Sequence, residues 1–547
     1  MKPSLVGALL ALIALASFAS PDPTYSALRA ARPDGRTIAV NDFTFERDVY
    51  RVTLSGTLHL LAPVEGKTAG AVFIGRGSYE LTPASEAERR MLGVVAEQKD
   101  LTSFRDDFES MVVFDGELTA KAGTPTAGSA SPEAAKIFER IPLNVILRVA
   151  QAMLNGEPSM PFIAVVNGKK TPAVLAVDPR GADSLRLTGD LGGEETILLS
   201  TDKQRHGLWY SSHRRGETPH AVEPPARAAH YAVDTTFRSN DEISGVTTID
   251  VVNGSGALRL LPIALLSKLR IDEASFAASA DAKDWTPLAV VQDDDAAVIF
   301  PTAIEPGRKL ALRVAYHGRE VLENAGDGNY YVRARASWYP NLGTFTTAAP
   351  YELTYRTPKA YQVVSVGEPT GERVEGTTRI ATFRTAQPIR VAGFNYGKFK
   401  KVSKTDPESG VTVDVFTNTG TPDIINEINH ALKSATMGAE NSNMFNPGTA
   451  TMFLGPDRVS IDTNGLAQAA IADALNTARV GKIFFGPLPQ TRVAITQQSQ
   501  WAFGQSWPQL IYMPYMAVLS PATRAQFGMM GSQLQWINQV GPHEFAH

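Results

Sequence analysis

His543-Glu544-Phe545-Ala546-His547 close the chain, and their reading decides how the rest is taken. On an α-helix, positions i and i+4 share a face, so His543 and His547 can turn two imidazoles toward one metal ion. Glu544, one residue on, is placed to serve as general base in a metal-assisted hydrolysis. With nine histidines in 547 residues the pattern is rare by chance, but its context has to support it. Upstream, Leu534, Ile537 and Val540 form an apolar stripe suited to a buried helix. Gly541-Pro542 predicts a kink or a restart, with Pro542 near a first turn. A zinc hydrolase needs a third protein ligand, and none follows His547. The expectation is therefore one Zn2+ whose third ligand lies beyond residue 547, and a fragment that binds zinc poorly and is inactive by itself.

Bulk properties narrow the remainder. A chain of 547 residues predicts three or four domains, and 43% hydrophobic with 20% charged residues is ordinary globular protein. A net charge of -4 gives no footing for nucleic acid or an anionic membrane surface. Without cysteine there is no disulfide, no thiolate ligand, no thiol nucleophile and no residue to carry a lipid. Met1-Lys2, the apolar run Leu5 to Ala16 and the small residues of Ser17-Phe18-Ala19 read as a secretory signal peptide over residues 1–20. The chain is thus expected to be exported, to a periplasm or the extracellular space, touching membrane only through that segment. An uncleaved anchor is the alternative.

Beyond the signal, residues 24–222 alternate strand patterns (Val49 to Gly56, Ala71 to Gly75) with a helical insert. Ser131-Pro132 starts a helix expected to run to 154, bent at Pro142, after a loop from Thr124 to Ser131. Asn167-Gly168 signals a hairpin turn. His206, His213 and His220 are evenly spaced but lie on a polar stretch with no helix to converge them, so they read as surface histidines rather than a second metal site. Residues 226–402 carry repeated strands, such as Tyr231 to Phe237 and Gly245 to Val252, in the manner of an antiparallel β-sandwich. From 403 the period changes. A strand at Val411 to Phe416 precedes a helix start at Thr421-Pro422-Asp423, and an alanine-rich helix spans Gly465 to Arg479. Lys482 to Pro489 leads into a strand at Arg492 to Thr496, and Leu510 to Met513 is a further strand before the terminal motif. Strands first and helices toward the motif suggest an α+β domain over 403–547.

In this order the residues resemble the M1 family of zinc aminopeptidases, gluzincins with a thermolysin-like catalytic domain. The resemblance covers roughly 226–547 and rests on Trp338-Tyr339-Pro340, on Ile389 to Phe394, and on Phe484-Phe485-Gly486-Pro487, Leu510-Ile511-Tyr512 and His543 to His547 in sequence. It implies a multidomain fold: mainly β N-terminal modules, a β-sandwich among them, then the front part of the α+β thermolysin-like metallopeptidase domain. Residues 24–222 match no usual module of the family. By the same resemblance His543 and His547 are zinc ligands, Glu544 is the base and peptides or proteins are the substrates. The family's third ligand, a glutamate, and its intermediate-stabilising tyrosine fall beyond residue 547. One departure matters. The family's Gly-x-Met-Glu-Asn stretch, whose glutamate holds the substrate α-amine, is replaced by Phe503-Gly504-Gln505-Ser506-Trp507, which has no carboxylate. Aminopeptidase specificity is not implied here, and Gln505 and Ser506 are the residues left to bond a substrate backbone. The competing readings are a non-catalytic envelope β-sandwich binding module or pseudoenzyme, and a hydrolase of non-peptide substrates on the same scaffold.

Overall fold

The computed structural model describes residues 22–115, 117–180, 195–216, 218, 224–292, 296–326, 328–332, 337–343, 347–419, 463–498, 504–514 and 532–546. The signal segment, His220, the helix start at Thr421 and His547 lie outside these residues. The chain is mainly β, with several sheets. It divides into two compact units: Met1–Pro225 with Asn253–Pro262 and Ile271–Val314, and Ala226–Val252 with Ile263–Arg270 and Ala315–His547.

The first unit is built on a nine-stranded antiparallel sheet. Its strands are β1 (Pro33–Arg47), β2 (Tyr50–Leu61), β3 (Gly70–Leu81), β4 (Phe104–Phe114), β5 (Thr126–Ala127), β6 (Phe162–Gly168), β7 (Pro172–Val177), β8 (Thr196–Ser200) and β9 (Gly207–Ser212), ordered β5-β1-β2-β3-β4-β6-β7-β8-β9. Alternation sends Leu54, Tyr79, Phe104 and Trp209 into one core and Leu61, Val72, Val112 and Ile163 into another. The second core is covered by two helices, Pro132–Phe138 and Leu143–Leu154. The single bent helix expected over 132–154 is thus two. Pro142 stands in extended geometry between them, since its ring removes a donor and fixes φ. The loop read at 124–131 contributes β5, which pairs Thr126 with Thr37. Asn167 pairs with Pro172, so the hairpin turns just after the Asn-Gly step rather than on it. A side-chain cap opens the helix Glu86–Val95: the Glu88 amide donates to Ser85 Oγ at 3.2 Å, and the Ala84 amide, just before the cap, donates to Glu88 Oε2 at 3.0 Å.

Within this unit Arg148 is fully buried. It donates to Asp178 at 2.7 and 2.8 Å and to Glu157 at 3.0 and 2.6 Å, and Arg180 adds a further bond to Glu157 at 3.0 Å. Burial alone would lower the affinity of Arg148 for its proton, but the two carboxylates reverse this and hold it charged.

In the second unit, Ala226–Phe237 pairs in parallel with Tyr351–Pro358, which pairs antiparallel with Thr378–Arg384. The parallel pair departs from the all-antiparallel pattern expected. Trp338 and Tyr339 are buried here; the Trp338 ring lies 4.7 Å from Phe394, and its Nε1 donates to Ala392 O at 2.8 Å. Residues separated in sequence, Trp338-Tyr339 and Ile389 to Phe394, therefore form one aromatic core.

The last sheet of this unit runs Phe399–Thr405, Thr412–Asn418, Arg492–Gln498, Leu510–Pro514, Gln505–Trp507. Its three inner strands are parallel, and the helix Thr463–Phe485 lies on the connection between the first two. The helix is longer than read: Lys482 to Phe485 continue it, and Gly486, at φ 84°, ends it in the left-handed region that suits glycine. Its Ala467, Ile471, Ala474 and Ala478 pack on Val413, Val415, Ile495 and Ile511. Arg479 clasps Asp406 at 2.6 and 3.1 Å, tying the helix to the turn between the first two strands. Asp414 on the second strand gathers Lys401, Ser403 and Arg492.

Candidate functional site

The terminal motif sits on the helix Ser532–Ala546. This helix does not restart at Gly541-Pro542; it runs through Pro542. Close packing accompanies this stretch: a Cβ on Gly541 would stand 3.4 Å from Asp473 Oδ2 on the long helix. Val540 and Glu544, one turn apart, are buried, and Phe545 packs beside them against the sheet's core. Within the motif, then, Glu544 is buried and His543 is exposed.

Glu544 is 8% exposed and lies against Gly504, the residue that leads into Gln505–Trp507. That short strand is the edge of its sheet among the described residues, pairing Gln505 with Tyr512 and Ser506 with Ile511. Gln505 and Ser506 are half-buried, and Gln505 Nε2 donates to Ser506 O at 2.8 Å. Trp507 is buried and its ring abuts Gly393. Tyr512 is buried too, donating its hydroxyl to Phe394 O; burial and then the neighbouring Tyr355 push its proton affinity well above the usual range, so it serves as structure rather than as an acid. The gap left between the two helices and the sheet holds about 10 Å³, room for one water at most.

A zinc ion is the group that the family resemblance implies. The donor chemistry fits in part: an exposed imidazole at 543 and an adjacent carboxylate held inward at 544, with the second imidazole, His547, outside the described residues. Among the described residues no group of three or more His, Asp or Glu side chains converges as a metal site. Nor do the described histidines of the first unit converge. His206 is exposed, while His213, expected on the surface, is only 31% exposed and pairs through Nδ1 with the buried Glu195 at 2.8 Å. Sequence reading missed the role of Gly504, because nothing local shows that a distant helix fills its side-chain space.

No protein-family model and no curated protein matches the chain. Several solved structures are similar in part. One is the M1 zinc metallopeptidase of Deinococcus radiodurans, at 17% identity over 54% of this chain and 61% of its own, with a TM-score of 0.38. A mutant of an M1 zinc metallopeptidase from the same organism, bound to the substrate Tyr-Ser-Ala, covers 56% and 64% at 16% identity, TM-score 0.39. A two-domain M1 zinc metallopeptidase mutant bound to L-arginine covers 59% and 66% at 16% identity, TM-score 0.40. The chain spans 61% of the length of the first of these structures. Similarity of this depth assigns no residue role and no substrate.

Proposed function

We propose that the protein is an exported zinc-dependent metallopeptidase of M1 type, with Glu544 as general base and His543 and His547 as metal ligands. Residues 403–547 are then the front of a thermolysin-like catalytic domain preceded by the β-sandwich of 226–402, and residues 24–222 form an added N-terminal module. The observation that carries the reading is the placement of Glu544: its carboxylate fills the side-chain space of Gly504, at the head of the edge strand Gln505–Trp507.

When bound, zinc supplies Lewis acidity that polarises the scissile carbonyl and acidifies the attacking water. By the family resemblance its third ligand comes from beyond residue 547. The chain's own residues do the rest. The edge strand Gln505–Trp507 offers main-chain groups that can pair an extended peptide, which places a scissile bond beside the helix. A carboxylate oxygen of Glu544 takes the proton from water as it attacks and passes it to the leaving amine. No carboxylate stands in Gly504 to Trp507 to hold an α-ammonium, so strict aminopeptidase specificity is not part of this reading.

Replacing Glu544 by Gln keeps the shape and removes the base. Peptide hydrolysis by the zinc-loaded protein at its natural length is expected to fall about 10²–10⁴-fold with bound zinc unchanged. Retained activity would rule out the assigned role.

A further inference from the structure

The space that a side chain at position 504 would take is filled by Glu544. A Cβ built on Gly504 would stand 2.6 Å from both Cγ and Oε1 of Glu544 and 2.8 Å from its Cδ, nearer than real Cβ atoms come to anything. The three nearest atoms all belong to this one side chain. Glu544 is 8% exposed and its neighbour Val540 is packed in the core, so the helix has little room to withdraw. Any other residue at 504 has to displace the carboxylate or the strand.

We propose that Gly504 is a positioning residue: the missing side chain at the head of the edge strand is the seat of the Glu544 carboxylate, fixing where that carboxylate stands beside a strand-paired peptide. The steric half stands on the packing alone, and the catalytic half rests on the peptidase reading above. Gly504→Ala pushes the carboxylate away without altering its chemistry. A displacement on the order of 1 Å of a group that must meet a reacting atom costs roughly 100-fold in rate. Substrate pairing along Gln505–Trp507 uses main-chain groups that the substitution leaves in place.

The test is a double-mutant cycle on wild type, Gly504→Ala, Glu544→Ala and the double mutant, read first by thermal unfolding. Gly504→Ala is expected to lower Tm by roughly 2–6 °C in the wild type, as overpacking does, and by less than about a third of that in the Glu544→Ala background, where the space is free. Equal losses in both backgrounds overturn the seat, because the glycine would then serve the backbone and not the carboxylate. The second reading is kinetic, on the zinc-loaded protein with a peptide substrate. Gly504→Ala is expected to lower kcat about 100-fold while KM stays within about threefold and bound zinc is unchanged. A rise in KM alone, or loss of zinc, overturns the positioning role. If the Tm coupling holds but Glu544→Gln keeps full activity, the seat stands and its catalytic meaning falls.

Discussion

At the scale of single residues, what decides a side chain's role is the company its fold gives it. His543 and Glu544 are adjacent in sequence, yet one is exposed and the other buried, because a helix turns successive residues about 100° apart. The motif gave the helix and the two roles expected of it, but not which of the two side chains is buried. Arg148 was not legible: in sequence it is one basic residue in an apolar helix, and only the fold brings Asp178 and Glu157 to it. Removing it takes the guanidinium from two buried carboxylates, of which Glu157 keeps its bond from Arg180. Arg148→Met is therefore expected to destabilise the protein by about 3–5 kcal/mol in denaturant unfolding. A cost below about 1 kcal/mol would mean that the acids take up protons or water at little expense.

Elements were read well where their pattern was strictly periodic and less well at their ends. The strands of 226–402 and the parallel strands near 412, 492 and 510 stand close to where alternation puts them. The long helix overran its expected end because Ile483, Phe484 and Phe485 look like strand residues; they remain helical and exposed until Gly486. Pro142 acted as a full break for lack of a donor. The pairing of that long helix with the turn before Thr412 was invisible in sequence, since Asp406 and Arg479 are far apart in the chain. Hydrogen bonds from Arg479 and from Ser409 hold the Asp406 carboxyl well below the usual range. The sign follows directly. An aspartate whose folded pKa is depressed contributes stability that is fully present above its unfolded value near 4 and is lost as pH falls below it. The Tm advantage of wild type over Asp406→Asn is expected to be greatest above about pH 5 and to shrink steadily toward pH 2. An advantage independent of pH over that interval would contradict the ion-pair account.

For the molecule as a whole, the mainly β character and the mixed α+β sheet near the motif were legible, because both follow from a switch in hydrophobic period. The nine-stranded sheet of the first unit was not, since its order depends on pairings between distant strands that no local pattern encodes. The proposed export carries its own check: mass spectrometry of the protein made in its own cells is expected to find a mature N-terminus within residues 19–22, and an intact Met1 would speak for an anchor instead. The central claim, that a carboxylate seated against an edge strand drives zinc-dependent peptide cleavage, is tested most directly by one comparison. Hydrolysis of an internally quenched peptide is measured for zinc-loaded wild type and Glu544→Gln at natural length, with zinc content determined in parallel. The account predicts equal zinc and a rate lower by about 10²–10⁴-fold in the variant; equal zinc with equal rates would contradict it.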